Sequence, residues 1–289
     1  MRLFIFGMGY TASAFTRLHG AKFETIAASV RSQSAAEAIS ASGVQPRLFV
    51  DGALDDEGRE ALAHATHLLI SIPPDANGDP VLRACADIID SAHHLRWIGY
   101  LSSVAVYGDR NGGWVDEDGE LDATSARGRQ RISAEKGWLD LGRRLGKPTH
   151  IFRLAGIYGP GRNALVNLRE GKAKRLIKPG QVFNRIHVDD IAQIVAATID
   201  SAHPGGVWNV ADDEPAPPQD VVAYAAELAG VAAPPDIPFD ASALSPMAAS
   251  FYADNKRIAN AKVKEAFGLS LLYPTYREGL RALITREGR

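Results

Sequence analysis

A short segment near the start of the chain has the residue types and spacing of a turn that binds phosphates. Gly7-Met8-Gly9-Tyr10-Thr11-Ala12 follows an apolar run typical of a buried strand, Leu3 to Phe6, and opens a helical pattern that reaches His19. Gly7 permits a tight turn, Gly9 lets the backbone approach a pyrophosphate because it has no Cβ, and Ala12 allows close packing of helix on strand. The helix would direct its positive dipole end at the phosphates. We therefore predict a dinucleotide-binding turn, the alternative being a glycine turn without a ligand.

The end of the second predicted strand, Phe23 to Val30, indicates which dinucleotide is bound. Arg31 and Ser32 follow this strand. An acidic residue at this point would bond the adenosine ribose hydroxyls of NAD, whereas an arginine with hydroxyl neighbours suits a 2′-phosphate. The sequence therefore favours NADP over NAD. The alternative for Arg31 is a solvated side chain after a strand.

Further strand ends extend the predicted cofactor site. Strand and helix patterns alternate five times over roughly the first 100 residues, which predicts a parallel sheet with right-handed crossovers and ligands beyond the carboxyl ends of its strands. Three predicted strands, Arg47 to Val50, His67 to Ile72 and Arg96 to Ser102, end near this site. The expected cofactor neighbours at these ends are Asp51, Gly52, Ile72, Pro73, Pro74 and Ser102.

Composition limits the classes of partner. The 289 residues are 46% hydrophobic and carry a net charge of −2, with no basic stripe that would indicate nucleic-acid binding. No apolar run approaches the roughly 18 residues of a membrane span, and the first strand begins too early to follow a signal peptide. The single cysteine, Cys85, excludes an internal disulfide, and no cluster of metal-ligating residues accompanies His93-His94. We expect a cytoplasmic protein that binds neither nucleic acid, membrane nor metal.

Two local patterns predict how later helices are held. Ala134, Trp138, Leu141 and Leu145 form an apolar stripe at helical spacing that would dock their helix on a sheet. Asn255 is predicted to cap a helix that runs to Phe267 and ends at Gly268.

Five segments outside the glycine turn share the residue patterns of one family. They are Ser102-Ser103-Val-Ala-Val106-Tyr107-Gly108, Arg153-Leu-Ala-Gly-Ile-Tyr158-Gly-Pro160-Gly-Arg162, Arg185-Ile-His187-Val-Asp189-Asp190, Trp208-Asn-Val-Ala-Asp212 and Tyr273-Pro-Thr-Tyr. With these segments the chain resembles the extended short-chain dehydrogenase/reductases of the NAD-dependent epimerase/dehydratase type. The resemblance implies an α/β fold with a Rossmann doubly wound parallel sheet over residues 1–155. It also implies a smaller α/β substrate lobe over residues 156–289, interleaved with the last Rossmann elements, and a homodimer formed through helices near Asp87 and Ser133.

The chain departs from this family where its members place their catalytic residues. Members carry a Tyr-x-x-x-Lys ahead of an Ala-Glu pair, and counting back from Ala134-Glu135 puts Arg127 at the Tyr and Arg131 at the Lys. In the family the Tyr is the general acid/base and the Lys bonds the nicotinamide ribose. An arginine stays protonated near neutral pH, so Arg127 cannot act as that base, whereas Arg131 could still hold the ribose. The two arginines lie on one helical face, so they could together bind an anionic ligand. The alternative is that both side chains are exposed to solvent without a ligand.

The resemblance also implies roles around the substrate. Ser103 matches the residue that polarises the reacting oxygen. Tyr107 matches a structural tyrosine of the family and would act as the acid only if its hydroxyl faced the nicotinamide. Tyr158, Arg162 and Arg185 are implied to contact a small or nucleotide-linked substrate. These roles describe an NADP-preferring oxidoreductase or epimerase acting on a carbonyl or alcohol. The missing tyrosine keeps a second hypothesis open, a non-catalytic NADP-binding redox sensor or regulatory protein.

Overall fold

Short runs of β-branched and aromatic residues form the strands of an eight-stranded sheet in the computed structural model, which describes residues 1–287. Its strands are β1 (Arg2–Phe6), β2 (Thr25–Val30), β3 (Gln45–Val50), β4 (Ala53–Leu54), β5 (His67–Ile70), β6 (Trp97–Ser103), β8 (Thr149–Leu154) and β12 (Gly205–Val210). The remaining strands pair two by two: β7 (Trp114–Val115) with β14 (Arg257–Ile258), β9 (Gly156–Tyr158) with β11 (Arg185–His187), and β10 (Arg175–Ile177) with β13 (Asp236–Pro238).

Strand order in the large sheet is β12-β8-β6-β5-β1-β2-β3-β4. β1 pairs in parallel with both β2 and β5, and the pairs β2/β3 and β5/β6 are parallel as well. The short β4 is antiparallel to β3. The chain moves outward from β1 to β3 and then returns to β5 on the other side of β1, which creates the topological switch point where doubly wound sheets bind ligands. The predicted Rossmann fold is confirmed.

The helices follow the strands in alternation, as predicted. They are α1 (Tyr10–His19), α2 (Gln33–Ser40), α3 (Asp56–Ala63), α4 (Pro80–Ser91), α5 (Ala126–Leu145), α6 (Ala164–Arg169), α7 (Val188–Asp200), α8 (Pro218–Ala229), α9 (Pro246–Ala253), α10 (Ala261–Phe267) and α11 (Tyr276–Glu287). The predicted stripe on α5 is confirmed, since Ala134, Trp138 and Leu141 are all buried in the core around the sheet. Among residues 1–287, no helix combines the length and the apolar character needed to cross a membrane.

The chain divides into two compact units, each built from several stretches of sequence. Unit 1 comprises Met1–Ser103, Ala126–Arg153 and Ile191–Trp208. Unit 2 comprises Val104–Ser125, Leu154–Asp190 and the chain from Asn209 onward. Unit 2 has its own apolar core, formed by residues of β9, α6, α8 and α11.

The predicted helix beginning at Asn255 is wrong. Residues Arg257 and Ile258 form β14, and helix α10 starts at Ala261. The Asn255 side chain does not cap a helix but accepts a hydrogen bond from the Val182 amide and donates one to the Gly180 carbonyl. Pairing of β14 with β7 therefore overrides the local capping preference, whereas the predicted helix end at Gly268, in the left-handed conformation, is confirmed.

Candidate functional site

The glycine turn at the end of β1 has a backbone that only glycine adopts readily. Gly7 has φ +90°, and a Cβ built on it would lie 2.4 Å from Cγ2 of Ile72. Its amide donates to Oγ of the buried Ser29 at 2.9 Å, while the amides of Ser71 and Ile72 both donate to the Phe6 carbonyl. The turn is therefore held between the ends of β1, β2 and β5, and a larger residue at position 7 would force them apart.

Gly9 differs from Gly7 because the space around it is open. A Cβ on Gly9 would meet no protein atom within 4 Å, and Gly9 precedes α1 without a side-chain cap. No acidic residue lies in the first turn of α1. Thr11 and Ala12 are buried against the sheet, whereas Met8 and Tyr10 are half-buried. This arrangement leaves room for a phosphate group at the positive end of the helix dipole.

At the end of β2, Arg31 is exposed, and its side chain makes no hydrogen bond or ion pair with any residue that the structure describes. Ser32 caps α2, since its Oγ accepts from the Ala35 amide at 3.2 Å and lies 3.1 Å from Oγ of Ser34. An exposed guanidinium group thus comes shortly before two serine hydroxyls in the sequence. This combination suits a phosphate monoester through charge-assisted hydrogen bonds.

The other predicted cofactor neighbours lie in the turns after β3 and β5. Asp51 and Gly52 both have positive φ and form the tight connection from β3 to the antiparallel β4. After β5, Ile72 packs against Gly7, Pro73 is exposed, and Pro74 is buried. Both turns follow the carboxyl ends of parallel strands, which is the edge of the sheet where this fold binds ligands, and β5 adjoins β1 at the switch point.

Arg131 on α5 is bound to the neighbouring strand. Its Nη1 donates to the Leu101 carbonyl at 2.5 Å and to the Tyr100 hydroxyl at 3.2 Å, and its Cζ lies 5.6 Å from the centre of the Tyr100 ring. Burial raises the pKa of the Tyr100 hydroxyl, so this partner stays neutral. Arg131 is consequently half-buried and oriented, whereas Arg127 one turn earlier is exposed and makes no ion pair within residues 1–287.

A buried polar network below Ser103 was not predicted. Glu135 and Arg153 are 2% and 4% exposed and form an ion pair with a closest distance of 2.8 Å. Ser102 donates to Oε1 of Glu135 at 2.5 Å, so its hydroxyl points into this network. Ser103 ends β6 and is half-buried. The Ala-Glu pair and the Arg that opens the second family segment are visible in the sequence, but nothing local shows that they meet.

A second buried carboxylate, Asp79, lies in the same unit. Its Oδ1 accepts from the first amides of α4, and its Oδ2 accepts from Nε1 of Trp138 at 3.1 Å. Burial raises the pKa of Asp79, while its hydrogen bonds and the charge of Arg131 oppose that rise. Asp79 therefore ties α4 to α5 and places negative charge in the surroundings of Arg131.

Tyr107 does not have the position expected of a proton donor. It is 0% exposed within unit 2, and its hydroxyl donates to Oδ1 of Asn209 at 2.7 Å. The Asn209 side chain in turn donates to the Ala259 carbonyl. Because its hydroxyl proton already has an acceptor in the core, the predicted acid role of Tyr107 is not supported by its environment.

The remaining predicted substrate residues also lie in unit 2. Tyr158 is buried, burial raises the pKa of its hydroxyl, and this hydroxyl contacts the Thr275 carbonyl at 3.4 Å. Arg162 is exposed at the end of a turn closed by mutual backbone bonds with Gly159. Arg185 is half-buried and donates to the carbonyls of Phe183 and Ala216, so part of its donor capacity serves the fold. Of these three residues, Arg162 is the most exposed.

Buried carboxyl groups near Arg185 and the end of β11 have altered acidities. Burial raises the pKa of Asp212 to about 8, against the lowering effect of Arg185, and its Oδ2 has no hydrogen-bond partner among the described residues. Burial likewise raises the pKa of Asp190 to about 6, although its carboxylate accepts from the amides of Leu272 and Tyr273. Nδ1 of His187 accepts a hydrogen bond from the Asp189 amide.

Comparison with known proteins identifies the fold. No protein-family model matches the chain. A solved UDP-glucuronic acid 4-epimerase from Bacillus cereus, in complex with NAD, has a TM-score of 0.75 and 17% identity, with 100% of both chains covered. Other similar solved structures are an epimerase and a dehydratase of nucleotide sugars. The chain thus has the fold of the extended short-chain dehydrogenase/reductases of the epimerase/dehydratase type, as the sequence predicts.

Two relatives are closer in sequence. A protein of unknown function from Silicibacter pomeroyi is 50% identical, with 99% of this chain and 98% of that chain covered and a TM-score of 0.90. The chain belongs to the same family as this protein. Protein YeeZ of Escherichia coli is 28% identical over 214 residues, which are 71% of this chain and 76% of that protein.

Proposed function

We propose that the chain is an NADP-dependent oxidoreductase or epimerase of the extended short-chain dehydrogenase/reductase fold, acting on a small, anionic or nucleotide-linked carbonyl or alcohol. The observation that carries this proposal is the turn from Gly7 to Gly9, which is tightly held on one side and open on the other. The position of this turn indicates which residues would hold the dinucleotide. The first turn of α1 would bind the pyrophosphate, and the ends of β3 and β5 would contact the adenosine and nicotinamide portions.

The preference for NADP rests on Arg31. Its guanidinium is exposed and lacks a protein partner within the described chain, and Ser32 and Ser34 follow it in the sequence. A 2′-phosphate would supply the missing partner, while a ribose without phosphate would leave the arginine solvated. A solved structure with this fold contains NAD, and the proposed preference for NADP therefore depends on Arg31 of this chain.

On the substrate side, we assign different roles to Ser103 and Arg131. A bound nicotinamide would supply or accept the hydride. Arg131, already fixed by the Leu101 carbonyl, would hold the nicotinamide ribose with its remaining donors, and Ser103 would donate to the reacting oxygen. Arg127 would contribute positive charge but no proton, and Arg162 is the proposed contact for an anionic part of the substrate.

The test is calorimetric titration of the full chain with NADPH and with NADH, on the wild type and on Arg31→Ala. We expect NADPH to bind more tightly than NADH, and Arg31→Ala to weaken NADPH binding about tenfold or more while leaving NADH binding nearly unchanged, because one charge-assisted contact is lost. Arg59→Ala, which removes another exposed arginine of unit 1, is the matched control and should bind both cofactors as the wild type does. Equal losses in the two variants, or no binding of either cofactor, would refute the proposal.

A redox-sensing protein is the second candidate, favoured by the environments of the two positions considered for a proton donor. Arg127 stands at the position where the family that the sequence resembles places its acid/base tyrosine, and the Tyr107 hydroxyl donates to Asn209. A sensor predicts tight NADPH binding without NADPH consumption across a panel of carbonyl and nucleotide-sugar compounds. Turnover of one such compound that is lost in Ser103→Ala would exclude the sensor and support the enzyme.

A further inference from the structure

Unit 2 contains a polar cavity that the proposed cofactor site does not use. Its volume is about 560 Å³, and three segments line it: the loop from Asp109 to Gly112, the turn from Lys178 to Gln181, and residues between Ala253 and Arg257. All three segments belong to unit 2, so the cavity is defined within one compact part of the chain.

Hydrogen bonds centred on Asn255 hold these segments together. The amides of Arg110 and Gly112 donate to the Asn255 carbonyl, and the Asn255 amide donates to Oδ1 of Asp109 at 2.7 Å. The Asn255 side chain also donates to the Gly180 carbonyl at 2.9 Å. The cavity walls are therefore fixed before any ligand arrives, as is usual for small-molecule sites.

Two cations on these walls have no carboxylate partner among the residues that the structure describes. Lys178 donates to the Tyr252 carbonyl and lies over the Phe239 ring, and Arg257 donates to the Gly112 carbonyl. The neighbouring Lys256 differs, because it pairs with Asp254 at 2.9 Å. The cavity also contains the carboxylate of Asp109, whose Oδ1 is occupied by backbone amides. Two cations against one carboxylate make the lining positive and favour an anionic ligand.

The side-chain oxygen of Gln181 is a hydrogen-bond acceptor that a ligand could use. Gln181 lines the cavity and is 1% exposed, and its Nε2 donates to the carbonyls of Val182 and Asp254. Its buried Oε1 has no hydrogen-bond partner within residues 1–287. Buried acceptors are nearly always paired, so a hydroxyl or N–H group of a ligand would satisfy this one.

An exposed indole lies on the strand that pairs with the strand of Arg257. Trp114 is 62% exposed and is the register partner of Arg257 in the parallel pair β7/β14. Residues directly opposite one another on paired strands project to the same face, so the indole and the Arg257 side chain share one face of this ribbon. A large exposed aromatic on a fixed backbone offers a flat apolar surface on which a ring can stack.

A second cavity of unit 2 has the opposite character. Its volume is about 620 Å³, and its charged lining consists of Asp116, Glu117, Asp118 and Glu265 against Lys262 alone. A negative lining of this kind repels anions. It therefore provides an internal contrast for the cavity at Lys178.

We propose that the cavity at Lys178 binds an anionic small molecule that contains a ring. Lys178 and Arg257 bind the phosphate or carboxylate group, Gln181 accepts a hydrogen bond from the ligand, and the ring stacks on Trp114. The site is independent of the NADP site of unit 1 in every residue that forms it.

The chain provides its own probe for this site. Of its four tryptophans, Trp97, Trp138 and Trp208 are at most 3% exposed, so acrylamide quenching of the native protein reports mainly on Trp114. The full chain is titrated with glucose 1-phosphate, glucuronate and uridine monophosphate, and with the neutral compounds glucose and uridine. We expect saturable protection of Trp114 by at least one anion and none by its neutral counterpart. The tighter of the phosphate and carboxylate compounds identifies the anionic group.

Charge variants decide whether the cavity is responsible. Lys178→Gln should weaken binding about tenfold or more, because a charge-assisted contact to the ligand is lost. Lys172→Gln removes an exposed lysine of the same unit that pairs with Glu170 and should bind as the wild type does. Calorimetry on Trp114→Phe, which keeps a stacking ring, should retain binding. Equal affinity in the two lysine variants, equal binding of neutral compounds, or no saturation with any anion would overturn the proposal.

Discussion

Glu135 and Arg153 illustrate what single residues contribute in unit 1. Both are buried, and the carboxylate of Glu135 also accepts from Ser102, immediately before the proposed substrate residue Ser103. The desolvation free energy of a buried ion pair is about as large as the attraction between its charges. The pair therefore contributes mainly by fixing the positions of the groups around it. Removing one partner is different, because the other charge then stays buried and uncompensated.

Glu135→Gln is therefore expected to lower the free energy of unfolding by about 3 to 5 kcal/mol, measured by urea denaturation. Glu37→Gln, at an exposed position of α2, should change it by less than about 0.5 kcal/mol. If the two variants were equally stable, the ion pair would not have the assigned role.

The same residues show how far sequence reasoning reaches at this scale. The helical face that carries Arg131 follows from counting along α5, because the spacing is a local property. Its partners Tyr100 and Leu101 lie on another element, and the acceptor of the Tyr107 hydroxyl, Asn209, is distant along the chain. Such partners depend on tertiary packing, which residue types alone do not encode.

Among the elements, the β1–α1 turn was predicted because its requirements are local. Gly7 needs a positive φ and Gly9 needs open space, and both demands appear as glycine in the sequence. The helix predicted from Asn255 was wrong because β14 gains its hydrogen bonds from β7, an element far away in sequence. The ends of strands next to the switch point were predictable, and the small paired strands of unit 2 were not.

The two glycines of this turn should respond differently to alanine. Gly7→Ala is expected to lower the free energy of unfolding by about 1 to 3 kcal/mol, because φ is +90° and the new Cβ would meet Ile72 at 2.4 Å. Gly9→Ala should leave stability within about 0.5 kcal/mol of the wild type, since nothing lies within 4 Å, yet weaken NADPH binding. Urea denaturation and calorimetry measure both effects. A Gly9→Ala protein that bound NADPH normally would show that phosphates do not approach there.

At the scale of the whole molecule, the two units carry buried groups with opposite pH dependence. In unit 1, burial lowers the pKa of His67 to about 4 and that of His150 to about 3. As the pH drops below 6.5, the unfolded protein binds protons at these histidines before the folded protein does, so the free energy of unfolding decreases. In unit 2, the raised pKa values of Asp190 and Asp212 mean that the folded form holds protons longer, so stability falls as pH rises above 3.8. The two effects oppose one another between about pH 4 and 6.

Above pH 7 the histidines are neutral in both states, and Asp212 dominates the remaining dependence. The wild type should lose about 1 kcal/mol of stability between pH 7 and 9, because ionisation of Asp212 is disfavoured only in the folded state. Asp212→Asn should abolish this loss, whereas Asp213→Asn, which removes the partner of Lys264, should shift stability equally at both pH values. Urea titrations at the two pH values make the comparison. A wild type with no loss would contradict the raised pKa of Asp212.

The interleaving of the two units governs the order in which the chain can fold as it is synthesised. Unit 1 begins with Met1–Ser103 but needs Ile191–Trp208 to be complete, and residues of unit 2 are made in between. At about 5 to 20 residues per second, the ribosome leaves the first hundred residues without their last strand and helix for about 5 to 20 s. During that interval the apolar edge of β6 is unpaired, because β8 and β12 have not yet joined the sheet. We therefore expect nascent-chain chaperones to bind this protein before its Rossmann sheet is complete.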